Sequence, residues 1–265
     1  MVKFGCLTNP TCDILKEIES IKKYGFDFVE IGIEWPEGSV ENLLKKRKEI
    51  VKLLKKNKMF AIAHTSWWMD FSSPYEYVRE AWVKEAKRKI DVAKKLGINQ
   101  ITFHTHSRFI QPFYRKYQKE ILDNFLFSLK ELVQYAKKKD MEILLENAGE
   151  IGEITQFNLI KYIAYRLPGI KIHLDIGHAY LFGGMKSIKA FILTFKERIS
   201  HLHFHDNHGK RDEHLPIGKG KINYKSVVKL LKKINYDKTI TFEVFTSRKD
   251  AKNSMKKIKK LWEIS

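Results

Sequence analysis

The chain is short of the features that mark secreted, membrane-bound or multi-domain proteins. Its only cysteines are Cys6 and Cys12, too few for a disulfide framework, and their spacing matches no zinc or redox motif. No apolar run approaches the length that crosses a bilayer, so no membrane association is expected. The opening MVKFGCLTNP reads as a strand rather than a charged-then-apolar leader, and cytoplasm is the expected compartment. No Pro/Gly/Ser-rich linker or shift of composition divides the chain, and residues 1–265 are read as one domain. No glycine-rich phosphate turn opens a helix, which argues against an open dinucleotide-binding sheet. Nothing in the sequence points to an obligate protein partner.

Acid is in deficit too. Lys+Arg 50 against Asp+Glu 31 gives a net charge of +19, which attracts phosphate-bearing partners such as DNA, RNA or sugar phosphates. Many lysines, however, fall in doublets and triplets such as Lys45–Lys46, Lys55–Lys56 and Lys137–Lys139, on stretches that read as outer helices. Such surfaces are common in heat-adapted proteins, so charge alone leaves a DNA-binding face and a solvated lysine surface both open.

What is present is a regular alternation. Strand-like runs at Val2–Leu7, Phe26–Ile33, Met59–His64, Gln100–His104, Glu142–Leu145, Lys171–Leu174, Ile199–His205 and Thr239–Phe245 are separated by helical stretches. The helices are expected at Cys12–Tyr24, Val40–Lys58, Ser73–Leu96, a long region through Lys139, Gln156–Arg166, Met185–Arg198, Asn223–Ile234 and from Asp250 onward. Ser73-Pro74-Tyr75-Glu76 reads as a serine cap, a proline at the first helical position and a glutamate closing a capping box. Eight β-then-α units predict parallel strands with helical crossovers, closed into a single (β/α)8 TIM barrel.

In such a barrel, chemistry sits at the C-terminal strand ends. The residues there are His64, His104, Glu146, Asp175, His178, His203, Asp212, His214 and Glu243, every one a metal-ligand type. A single histidine at a strand end is more often a surface or hydrogen-bonded core residue. Recurrence over six successive strands is what favours a divalent-metal site. Period-2 parity also turns Glu30, His173 and His201 inward, the two histidines one layer deeper, where packing with a hydrogen bond is expected. Trp35, Trp67 and Trp68 are candidate substrate-contacting aromatics at the mouth, and His205 a candidate polar substrate contact.

These motifs make the sequence resemble the xylose-isomerase-like barrels over nearly its whole length. Within them, the endonuclease IV family of abasic-site repair enzymes is similar in His64-Thr-Ser-Trp67-Trp68, in His104, in Leu145-Glu146-Asn147, in Asp175-Ile-Gly-His178 and in Asp212-Glu-His214 with Ile217-Gly-Lys-Gly220. That resemblance implies three zinc ions. Glu146 would bridge two, with His64 and His104 on one, Asp175, His203 and Glu243 on the second, and His178, Asp212 and His214 on the third. It implies phosphodiester hydrolysis in damaged DNA, with Glu146, Glu243 and His178 as catalytic residues.

The second branch, sugar and sugar-phosphate isomerases and epimerases, shares Glu146, Asp175, His203 and Glu243 as a one-ion site. It implies manganese, cobalt or magnesium and proton transfer between Glu146 and Glu243. His205-Asp206-Asn207 followed by Gly209 is more similar to this branch. Glu34-Trp35-Pro36-Glu37 also stands where the repair enzymes send a basic residue into DNA. A barrel that binds metal or ligand without catalysis is the third reading.

Overall fold

Short β-branched runs followed by amphipathic, lysine-rich helices can bury both faces of each strand only by wrapping helices around a parallel sheet. The computed structural model, which describes residues 1–107, 112–149 and 154–264, shows that arrangement. Strands β1 (Lys3–Leu7), β2 (Phe28–Ile33), β3 (Phe60–Thr65), β4 (Gln100–His104), β5 (Glu142–Glu146), β6 (Lys171–Asp175), β7 (Ile199–Phe204) and β8 (Thr239–Phe242) close in chain order into one barrel. Each pair is parallel, and β1 completes the ring on β8.

Around the barrel run α1 (Ile14–Lys23), α2 (Val40–Lys45), α3 (Arg47–Lys56), α4 (Glu76–Lys95), α5 (Gln118–Lys137), α6 (Gln156–Arg166), α7 (Ile176–Leu181), α8 (Gly184–Thr194), α9 (Tyr224–Lys233) and α10 (Arg248–Ile264). Their inner faces bury Ile18, Ile21, Ile90, Phe125, Leu129, Phe191 and Leu231 against the outward strand residues Val29, Ile31, Ile101 and Leu202. Lysines crowd the last turns of α1, α3, α4 and α9, where they complement the helix dipole. Those turns feed the N-terminal ends of the strands. These lysines therefore lie on the floor side of the barrel, away from the mouth.

Three expectations need correction. The single helix over Val40–Lys58 is two, because Lys46 leaves helical geometry between α2 and α3. Ser73 does not cap a helix: its hydroxyl accepts from the Tyr75 N–H, and α4 begins at Glu76 after a cap with no side-chain bond. The serine is spent on a local turn, so the proline and glutamate of the expected box fall outside their positions. The long region through Lys139 divides near Pro112, a break its proline makes available, into a 3-10 turn at Pro112–Tyr117 followed by α5, and its part at 108–111 lies outside the described residues. Finally, α7 is an unexpected short helix started by the Asp175 carboxylate, which accepts from the His178 N–H at 2.6 Å.

Inside the barrel the floor is apolar. Phe28, Ile62 and Leu144 form a small plug separate from the main core, and Gly5 leaves room for the Phe28 ring. Above the plug the barrel holds buried polar side chains, among them Glu30, Thr102, His173, His201 and Thr241.

Candidate metal centre

Parallel register stacks the inward side chains in tiers. His104 lies beside Glu146, Glu146 beside His173, and Asp175 beside His203 in neighbouring strands. The expected ligands meet at one mouth. Glu146 is their hub: Oε2 is 3.2 Å from His64 Nε2 and 3.1 Å from His104 Nε2, while Oε1 is 3.3 Å from His178 Nδ1. His64 and His104 Nε2 are themselves 3.2 Å apart. Three donor atoms at such mutual distances match the edges of a tetrahedron around zinc, about 3.3 Å for metal–nitrogen bonds near 2.05 Å.

The rest of the set continues from there. His178 Nε2 is 2.9 Å and His214 Nε2 3.0 Å from the same Asp212 oxygen. His214 Nδ1 and His203 Nδ1 lie 3.3 and 3.2 Å from Glu243 Oε2, and Asp175 Oδ2 is 3.7 Å from His203. The groupings of chelating atoms at the mouth include four: His64, His104 and Glu146; Glu146, Asp175 and His203; His64, His203 and Glu243; and His178, Asp212 and His214, joined by His205. A divalent ion fits these donors. Asp175 Oδ2 and His104 Nδ1 are buried with no hydrogen-bond partner among the described residues, a costly state for a carboxylate oxygen unless a cation is its partner.

The charge balance of the bare site says the same. Burial opposes charge on His64, but hydrogen bonds to Glu146 and Glu34 outweigh it and push its pKa up to about 10. His214 rises to about 10 against burial because Glu243 and Asp212 flank it. Burial likewise works against Glu146 and Glu243, yet the surrounding imidazoles hold both carboxyls well below the usual range. Protons on imidazoles thus stand in for cations among packed carboxylates.

Several residues hold places the sequence did not reveal. His205 is fully buried, with Nε2 3.1 Å from Asp175 Oδ1 and 3.7 Å from Asp212 Oδ1, inside the fourth grouping rather than at the substrate-facing rim. Glu34 reaches in from the end of β2, its Oε1 3.5 Å from His64 Nδ1. Glu30 Oε2 lies within hydrogen-bond distance of both His203 and His201 below the mouth. Trp35 and Trp67 are exposed, and Trp68 is half-buried edge-on to Trp67.

Gly177 makes the position of His205 possible, because a Cβ there would collide with the imidazole ring. Gly177→Ala is expected to cost about 1–3 kcal/mol by overpacking and to weaken divalent-ion binding. Thermal melts of the chelator-stripped protein and a zinc titration measure the two effects; unchanged values for both would refute the packing argument.

Comparison with known proteins agrees with this geometry. The family described as xylose isomerase-like TIM barrel matches residues 18–261. An uncharacterized protein of Methanocaldococcus jannaschii is 31% identical over 257 residues, covering 95% of this chain and 85% of that one. A probable endonuclease 4 of Aquifex aeolicus is 27% identical over 270 residues, covering 94% and 93%. The crystal structure of a D-tagatose 3-epimerase-like protein matches with a TM-score of 0.85 at 28% identity, covering 99% of this chain and 97% of that one. With eight strands in ring order, polar residues on their inner faces and a family match over nearly its whole length, the chain belongs to the xylose isomerase-like TIM barrels.

Proposed function

We propose that the chain is a multinuclear, divalent-metal phosphodiesterase of the endonuclease IV kind, acting at abasic or damaged sites in DNA. One observation carries the reading: His64, His104, Asp212 and His214, which a one-ion site has no use for, are all drawn into contact with Glu146, Glu243 or each other. A probable endonuclease 4 aligned over 94% of the chain supports it.

His64, His104 and Glu146 would hold one ion, Asp175, His203 and Glu243 with Glu146 a second, and His178, Asp212 and His214 a third. Zinc suits the nitrogen-rich sets. When bound, such ions supply Lewis acidity toward water and phosphate oxygens. The chain's own part is to set the spacing. Glu146 joins two groupings through its two oxygens, Glu34 fixes the His64 ring, and the Asp175 cap fixes the start of α7 and with it His178. Trp67, exposed on the loop after β3, offers a face for an unstacked base.

The second reading, a sugar or sugar-phosphate epimerase with Glu146 and Glu243 exchanging the proton, has its own support. Glu34 adds an acid to the mouth while the lysines of several helix ends lie at the floor, an arrangement that suits a neutral sugar better than a duplex. The epimerase-like structure at 28% identity adds to it.

The deciding experiment offers zinc- and manganese-loaded protein a labelled duplex with a single abasic site, and separately D-tagatose. Cleavage at the lesion with about three ions held at the mouth is the expected result. An intact duplex beside epimerised ketose would overturn it.

A further inference from the structure

Beneath the mouth lies a second convergence of ligand atoms, built by Glu30 of β2, His173 of β6, and His201 and His203 of β7. All four side chains are completely buried. Glu30 Oε2 is 2.8 Å from His203 Nε2 and 3.1 Å from His201 Nε2. The His173 ring centre lies 3.9 Å from that of His203 and 4.5 Å from that of His201.

The outer nitrogen of each imidazole is already engaged. His173 Nδ1 is 3.0 Å from the Thr102 hydroxyl, His201 Nδ1 2.8 Å from that of Thr239, and His203 Nδ1 3.2 Å from Glu243. Histidines in metal sites are held in this manner, one nitrogen oriented by the protein and the other left for the ion.

His201 places its two ring nitrogens between two polar neighbours, Nδ1 2.8 Å from the Thr239 hydroxyl and Nε2 3.1 Å from the Glu30 carboxylate. Two further atoms of this set, His173 Nε2 and Glu30 Oε1, are buried without a hydrogen-bond partner among the described residues.

We infer that Glu30, His173, His201 and His203 form a separate divalent-ion site inside the barrel, closed and structural in character, distinct from the groupings at the mouth. Three imidazoles and one carboxylate suit zinc, and four protein ligands leave no open position for a substrate. His203 is shared between the tiers, its Nδ1 facing Glu243 and its Nε2 facing Glu30, so filling both tiers requires it as a bridging imidazolate that has released its second ring proton to solvent. The hydrogen bonds expected of the buried His173 and His201 are present, to Thr102 and Thr239, and the inference adds ligation through their other ring nitrogens. The inference does not depend on whether the mouth takes DNA or sugar.

The test begins with protein stripped by a chelator and reloaded with zinc, then crystallised for anomalous diffraction at the zinc edge. A peak about 2.0–2.2 Å from His201 Nε2 and a Glu30 oxygen is expected. A zinc-loaded crystal with density at the mouth and none beside Glu30 overturns the inference, as does protein that takes up no zinc. Ion counts per chain give an independent measure. Glu30→Gln and His201→Asn, neither of them a mouth ligand, should each lose one ion, whereas His178→Asn should lose ions only from the mouth. Loss in the His178 variant with none in the other two would leave the mouth assignment standing and remove the deep site.

Discussion

Glu146→Gln is expected to lower kcat/KM by more than about a hundredfold on whichever substrate the protein turns over, beyond what losing a group that only orients a ligand costs. The reason is geometric. Glu146 is almost completely buried, and its two oxygens lie within 3.1–3.3 Å of nitrogens on His64, His104 and His178. Glutamine keeps the volume but replaces one oxygen with an amide that cannot ligate, and removes the negative charge that offsets the imidazoles. Both groupings that share Glu146 are then damaged together.

Ion content should fall with activity, measured by plasma mass spectrometry on protein reloaded in excess zinc. A Glu146→Gln protein that retained full ion content and activity within about tenfold of wild type would show that the hub is not a ligand. The same substitution is expected to destabilise the stripped protein, because buried imidazolium groups lose a counter-charge, at roughly 3–5 kcal/mol.

Much of this site can be read from residue order alone. A parallel barrel brings the C-terminal ends of its strands to one rim whatever the details of packing, so the ligand types after β3 to β8 had to share a mouth once the barrel was recognised. Period-2 parity likewise placed Glu30, His173 and His201 inside.

What parity does not give is which inward residues touch, since that depends on strand stagger. Glu30 and His203 are 173 residues apart and meet only because the barrel closes. His205 shares the parity of His203 but follows the last residue of β7, a place that reads as a substrate contact at the mouth, and Gly177 is what admits its ring to the cluster. The Asp175 cap went unread because Gly177, a poor helix former, stands two residues later. Lys46 breaks its helix with no glycine or proline to announce it.

The largest effect of conditions is expected to be a reversal of pH dependence on metal loading. In the ion-free protein His64 and His214 have pKa values raised from 6.5 to about 10, because Glu146, Glu34, Glu243 and Asp212 outweigh the penalty of burial. A raised folded-state pKa gives stability that is complete below 6.5 and disappears as pH climbs through 10. Glu146 and Glu243 are shifted the other way, so their contribution is complete above 4.5 and is lost in acid. His104, His173 and His201, which burial holds below 6.5, work the other way and cost stability as pH falls below 6.5, so the stripped protein should melt highest near pH 6.5 and lose on the order of a few kcal/mol toward pH 10.

Ions require the same imidazoles neutral. Binding must displace those protons, so it strengthens as pH rises, and the loaded protein should gain stability from about pH 5 to 8. Melting curves of stripped and zinc-loaded protein between about pH 6.5 and 9 would then run with opposite slopes and diverge on the alkaline side. Parallel curves would mean that imidazolium protons and metal ions do not compete for the same nitrogens, and the cluster would have to be read as a hydrogen-bonded network alone.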